Sequence, residues 1–143
     1  MFISLNWLKE YVEIPKSVSP EALGLKLTMH TVEVDSVKKL ADRYDKVVVA
    51  KILEVTAHPQ ADKLRLAMVD TGQDKREIVC GADNIKAGQL VPLALPGAVL
   101  PSGIKIEAAL IRGVESHGML CAPDELGLGE DHSGIMILSD KAK

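Results

Sequence analysis

LRLAMVD, Leu64 to Asp70, is the stretch on which the fold turns. Leu64, Leu66 and Met68 alternate with Arg65, Ala67 and Val69, a period of two that sends successive side chains to opposite faces of a strand. One face packs inward and the other is at least partly wet. IKIEAALI, Ile104 to Ile111, repeats the pattern, with Ile104, Ile106, Ala108 and Leu110 opposing Lys105, Glu107, Ala109 and Ile111. Shorter apolar runs lie on either side: Val47 to Val55, Glu77 to Val79, Leu90 to Leu95, Gly118 to Ala122 and Ile135 to Leu138. Gly72, Gly81, Gly88, Gly97, Gly103, Gly113 and Gly118 punctuate them, where tight turns or close backbone approach are expected. Short strands separated by turns, without crossover helices, predict a closed or partly open barrel of about five strands.

Before Lys46 the texture is helical. Leu5, Leu8 and Val12 share one helical face, Ser4 can cap that helix and Pro15 stops it. Ser19-Pro20-Glu21 supplies a second start: a capping hydroxyl, a preset first residue and an acid at the positive helix end. This helix is predicted to run to about Met29, with Leu23 and Leu27 on one face and Gly24 weakening it. A short alternating strand, Val32 to Val37, is expected next, then a polar linker from Lys38 to Lys46. The resulting expectation is an α+β chain: a two-helix segment with a short strand over residues 1–40, and a barrel over 41–143.

The composition, with 47% apolar and 26% charged residues, is that of a soluble globular protein. No apolar run approaches the ~20 residues a membrane-spanning helix needs, and the first residues lack the pattern of a secretory signal, so a cytoplasmic location is expected. Cys80 and Cys121 are too few for a disulfide scaffold and sit in apolar surroundings, as small core residues would. His30, His58, His117 and His132 do not supply zinc-ligand spacing, and no metal site is expected.

Catalytic signatures are missing as well. The glycine cluster GLGEDHSG, Gly127 to Gly134, lacks the lysine of a phosphate-binding loop and reads as a solvated loop. No serine stands in a nucleophile elbow, neither cysteine carries a thiol-enzyme signature, and Asp124 and Glu125 read as solvated charges. The net charge is -3, and from Lys46 onward eleven Lys/Arg face thirteen Asp/Glu, so any contact with a polyanion must come from a local patch. Phe2, Trp7, Tyr11 and Tyr44 are all the aromatics, and all precede Lys46. The barrel therefore cannot stack bases on aromatic rings, and RNA binding would rest on phosphate contacts, shape and a few polar or Met contacts. That suits folded RNA better than an extended strand.

Four blocks, HPQADKL (His58 to Leu64), IVCGADN (Ile78 to Asn84), ALPGAVLPSG (Ala94 to Gly103) and IRGVESHGMLC (Ile111 to Cys121), together resemble the tRNA-binding module of bacterial phenylalanine–tRNA ligase β subunits. That module is a barrel of the oligonucleotide/oligosaccharide-binding (OB) class. MFISLNWLKEYVEI and LTMHTVEVDSV (Leu27 to Val37) look like the opening of the same subunit. The resemblance implies an accessory tRNA-binding module, not itself an enzyme, at the N-terminus of a longer ligase chain. The parent would assemble from two α and two β subunits and charge tRNA with phenylalanine, using ATP and magnesium at sites outside these residues. An architectural role in subunit assembly and a free-standing binder of structured RNA are the alternatives. The resemblance places the tRNA-facing surface around Lys63, Asn84, Arg112, Ser116, His117 and Met119. Lys63, Arg65 and Arg112 suit phosphates, Asn84 and Ser116 suit sugar or base edges, and Met119 suits packing against a base or ribose.

Overall fold

The computed structural model describes residues 1–139. They divide into two compact units, one over Met1–Lys39 and one from Leu40 onward.

In the first unit, Ser4 caps a one-turn helix, α1 (Leu5–Leu8), its hydroxyl accepting from the Trp7 amide at 3.4 Å. The helix expected through Val12 tightens after Leu8 into bonds from Glu10 N to Trp7 O and from Tyr11 N to Leu8 O. A short helix has a costly nucleus, and α1 buries no residue that would repay it. Helix α2 (Pro20–His30) starts where the Ser-Pro-Glu signal puts it, with Ser19 Oγ accepting from Ala22 N at 3.1 Å. The strand expected over Val32–Val37 does not form. A strand needs a ladder partner; here Val34 N instead donates to Thr28 Oγ1 at 2.9 Å. Val34 and Val37 settle on Gly24, where a Cβ would come 3.0 Å from Val37 Cγ2. Gly24, the residue expected to weaken the helix, is the seat that lets this segment fold back on it, and it is the one residue buried in α2.

The second unit opens with a 3-10 turn (Leu40–Tyr44) inside the polar stretch Lys38 to Lys46 expected as a linker. Its sheet is antiparallel, built on β1 (Val47–Ala57), β2 (Arg65–Asp70), β3 (Lys75–Cys80), β4 (Leu90–Ala94) and, after a hairpin of β5 (Ala109–Ile111) and β6 (Val114–Ser116), β7 (Met119–Leu120). The sheet order is β3-β2-β1-β4-β7. Strand β1 is long enough to serve two neighbours: Val47–Lys51 pairs with β4, and Lys51–Ala57 pairs with β2. A register shift between Ile52 and Glu54 bends it between the two halves.

The alternation in Leu64–Asp70 resolves into an inward face of Ala67 and Val69, both fully buried, and a half-buried face of Leu66 and Met68. Ile52, Ile78, Val91 and Leu93 complete this core, each contributing about 1.5–3 kcal/mol by burial. Ala98, Leu100, Ile106, Cys121 and Leu126 form a second cluster against which Tyr44 and Met119 pack.

Closure of the barrel falls to β3 and β7, the two ends of the sheet, which lie against each other without a ladder. The link is made just before β7: His117 N donates to Glu77 O at 3.1 Å, and Ser116 Oγ accepts from Val79 N at 3.1 Å while donating to Gly118 O at 2.9 Å. Gly118 has φ +144, and a Cβ there would sit 2.6 Å from the Ala94 carbonyl oxygen, so the chain can turn into β7 only as glycine. The result is a nearly closed five-strand barrel of the OB type, preceded by two helices.

Two expected strands are changed. The run Ile104–Ile111 is divided: Ile104 and Ile106 pair with Leu100 and Ala98 around the Pro101–Gly103 turn, and only Ala109–Ile111 is a strand, paired with β6. Its alternation breaks because the two halves serve different partners. The run Ile135–Leu138 reaches the sheet at a single bridge, Leu138 to Leu90. Strand β6 was not anticipated. No helix among the described residues is long and apolar enough to cross a membrane.

Candidate nucleic-acid interface

Barrels of the OB class present ligands with the loop between their first two strands and the loop between their last two. Here these are residues 58–64, between β1 and β2, and the long excursion 95–118, between β4 and β7, which carries the β5–β6 hairpin. The two segments are joined by His58. Its imidazole is 5% exposed; Nδ1 accepts from Gln60 N at 3.1 Å and Nε2 faces the Ile111 carbonyl at 3.2 Å. An amide on one side and a carbonyl on the other assign Nδ1 as the acceptor and Nε2 as the donor. The loop mouth is closed by His58 N donating to Leu64 O at 3.1 Å. Beyond it, the Gln60 side chain lies 3.3 Å from where a Gly113 Cβ would be. Thus Lys63, at the end of one loop, and Arg112, at the tip of the hairpin, are carried on segments packed together.

Arg112 takes φ +50 and Gly113 φ +85, the two positive values of a type I′ hairpin turn. Asn or Gly is the usual first residue of such a turn; an arginine there costs about 1–2 kcal/mol of backbone strain. Lys63 and Arg112 are exposed, and neither has an ion pair among the described residues. Arg65, the first residue of β2, lies 3.8 Å from Asp83, a long surface contact that a phosphate can replace.

The other expected site residues are engaged in structure. Ser116 is 2% exposed, and both capacities of its hydroxyl go to closing the barrel. Asn84 donates to Ile135 O at 2.9 Å and accepts from Ile135 N at 3.1 Å, holding the loop after Asp131 against the end of β3. Met119 is half-buried against the second core cluster. His117 is half-exposed, its backbone in the closing bond and its ring 3.8 Å from Glu115. The structure thus gathers Lys63 and Arg112 at the packed loops, with Arg65 beginning the strand that follows, and gives Ser116, Asn84 and Met119 structural partners. His58 and Gln60 lie within a block quoted from the sequence, but nothing local marked their partners, 53 residues away in the case of His58.

Asp124 and Glu125 are half-buried, not solvated: Glu125 Oε2 accepts from Ala122 N at 2.7 Å, and Asp124 Oδ1 is buried without a hydrogen-bond partner among the described residues. Cys80 and Cys121 are both buried and free. Burial, reinforced by the nearby Glu125 carboxylate, pushes the Cys121 thiol up to about 12, and burial raises Cys80 as well. Neither is a nucleophile at neutral pH. Among the described residues no three His, Cys, Asp or Glu side chains gather as a metal site would need.

Residues 47–143 match the family described as "Putative tRNA binding domain". The chain is 50% identical over 139 residues to the phenylalanine–tRNA ligase β subunit of Syntrophotalea carbinolica, covering 97% of this chain and 17% of that protein. The corresponding figures for the β subunit of Chlorobaculum tepidum are 52% over 149 residues, 98% and 18%. This chain therefore spans less than a fifth of the length of these relatives. Among solved structures, a MetRS related protein of Pyrococcus horikoshii is similar at 22% identity with a TM-score of 0.49, over 75% of this chain and 93% of that one. The matched region coincides with the barrel from its first strand onward, and the chain belongs to the tRNA-binding domain family, within a sequence similar over nearly its whole length to the N-terminal region of phenylalanine–tRNA ligase β subunits.

Proposed function

We propose that this chain is an accessory tRNA-binding module of a phenylalanine–tRNA ligase β subunit, working in the cytoplasm. It supports aminoacylation by raising the concentration of tRNA near active sites carried elsewhere in the assembly. The observation that carries this reading is the His58–Ile111 contact, which holds the Lys63 loop against the Arg112 hairpin at the ligand-presenting end of the barrel. Lys63, Arg65 and Arg112 would each meet a phosphate oxygen of folded tRNA, and beyond Tyr44 there is no Phe, Tyr or Trp on which a base could stack. The rest of the ligase, an α subunit and a second αβ pair, would supply the chemistry, with ATP and magnesium bound there. Few phosphate contacts mean modest affinity in isolation, and avidity within the assembly makes that sufficient.

The test is binding of tRNA to the chain at low salt by fluorescence anisotropy, for the native sequence and for a Lys63→Gln, Arg65→Gln, Arg112→Gln triple variant. A severalfold or greater loss with an unchanged circular dichroism spectrum is expected. Equal affinity in the variant, or no binding by the native chain at low salt, contradicts the proposal.

A further inference from the structure

Beside the β3–β7 seam lies a cleft of about 680 Å³, bounded by the end of β3, residues 104–111, the turn into β7 and residues 132–135. That volume falls within the roughly 300–1,000 Å³ range of small-ligand clefts. Its walls include Ile106 and Ile135, both buried, and the half-buried thioether of Met119. Ile111 also lines it, and Ile111 is the residue whose carbonyl faces His58 and whose neighbour is Arg112. The cleft therefore shares Ile111 with the hairpin that carries Arg112.

We infer that this cleft is a slot for a single unstacked nucleobase bearing an exocyclic amino group, whose flanking phosphates stay outside at the Lys63 and Arg112 loops. The inference rests on the tRNA-binding reading and extends it. With no Phe, Tyr or Trp beyond Tyr44, a base in this cleft must be held between aliphatic, thioether and imidazole side chains, and Ile106, Ile135, Met119 and His132 line it. Charge decides which part of a nucleotide enters. Glu107 and Glu125 line the cleft; Glu107 is paired with Lys105 at 2.8 Å, whereas Glu125 uses only Oε2, on Ala122 N, leaving Oε1 without a partner among the described residues. A free carboxylate oxygen repels phosphate and accepts from the amino group of cytosine, adenine or guanine, which uracil lacks. Ser133 at the far wall donates its hydroxyl to Asp131 Oδ1 at 2.7 Å and offers the cleft an acceptor.

The test is amide NMR of the chain titrated with AMP, CMP, GMP and UMP, alongside tRNA affinity over a salt series. AMP, CMP and GMP should shift the signals of residues 104–107 and 132–135, and UMP should do so at least fivefold more weakly. Ala109, exposed on β5 at the cleft wall, can be enlarged without entering the core. Ala109→Phe should remove those shifts and lower tRNA affinity about fivefold or more, the low end of what one held base contributes, while leaving the salt slope unchanged. Glu125→Gln should erase the preference against UMP. Equal shifts with UMP, shifts confined to residues 60–65 and 111–113, or unaltered nucleotide binding in Ala109→Phe would overturn the slot. If tRNA binds with a patch-dependent salt slope while the cleft signals stay silent, the slot falls and the interface stands. If the cleft responds to nucleotides but tRNA does not bind, the slot stands and the tRNA reading falls.

Discussion

Two polar loops flank the same strand, β2, and they are held in opposite ways. The turn 71–74 is self-contained: Thr71 Oγ1 donates to Asp74 and accepts from the Asp74 amide, Asp70 accepts from Gly72 N, and Arg76 pairs with Asp74 at 2.7 Å. Every partner lies within three residues. The loop 58–64 is pinned instead by a buried imidazole to a carbonyl 53 residues away. A turn that satisfies itself locally can form early and tolerate change, whereas a loop whose shape depends on a distant hairpin fixes the spacing of whatever the two carry. Phosphate recognition needs cations on a defined backbone, and the second loop is the one whose backbone is tied to a distant segment.

Substitutions in the two loops should separate these behaviours. His58→Ala should have the largest effect: it leaves Gln60 N and the Ile111 carbonyl unpaired and opens space below the loop, costing about 2–3 kcal/mol in urea unfolding. It should also weaken tRNA binding although every cation is retained. Full affinity in this variant would break the link between pinning and recognition. Ser116→Ala, which strips the closing partner from buried Val79 N, should cost about 1–3 kcal/mol, and tRNA affinity measured well below its melting temperature should change little. A large loss of binding with intact stability would return Ser116 to the RNA-contacting set.

Arg112→Asn sharpens the comparison from the other side. Asparagine tolerates positive φ, so thermal stability should rise by about 0.5–1 kcal/mol while tRNA affinity falls severalfold. A rise in both would mean that the strained arginine has no part in binding. Smallest of all should be Asp74→Ala, for which the urea midpoint and tRNA affinity are expected to match the native chain within error. Loss of tRNA binding there would show that the self-contained turn also belongs to the interface.

The second core cluster, which contains Cys121, can be probed by alkali. An unfolded cysteine gives up its proton near pH 8.5, whereas Cys121 in the fold holds its proton to about 12. The folded chain thus binds more protons across that window, and its stability should fall as pH rises from about 8.5 towards 12. Native chain at pH 8 should resist iodoacetamide at both thiols and react fully in guanidinium. Rapid native alkylation would contradict the closed barrel.

Much of the barrel is legible before folding because its strands announce themselves by alternation and glycine, both local signals. What escapes is whatever depends on a partner far along the chain. Val32–Val37 alternates like a strand but finds no ladder, only Thr28 and the Gly24 seat. Ile104–Ile111 reads as one strand because periodicity cannot show that its two halves serve different hairpins. Ser116 is a candidate through the resemblance alone; that its hydroxyl meets an amide 37 residues away is visible only in the fold. Lys63 and Arg112 are readable as cations; that their segments pack together follows only from the long-range contacts of His58 and Gln60.

The most direct measurement is the salt dependence of tRNA binding by the native chain and by Lys63→Gln/Arg112→Gln. Each neutralised phosphate contributes about 0.7–0.9 to the log–log slope, so the double variant should bind with a slope shallower by about 1.4 to 1.8. An identical slope in the two proteins would mean that these cations touch no phosphate, and that the packed loops are not the tRNA-binding surface.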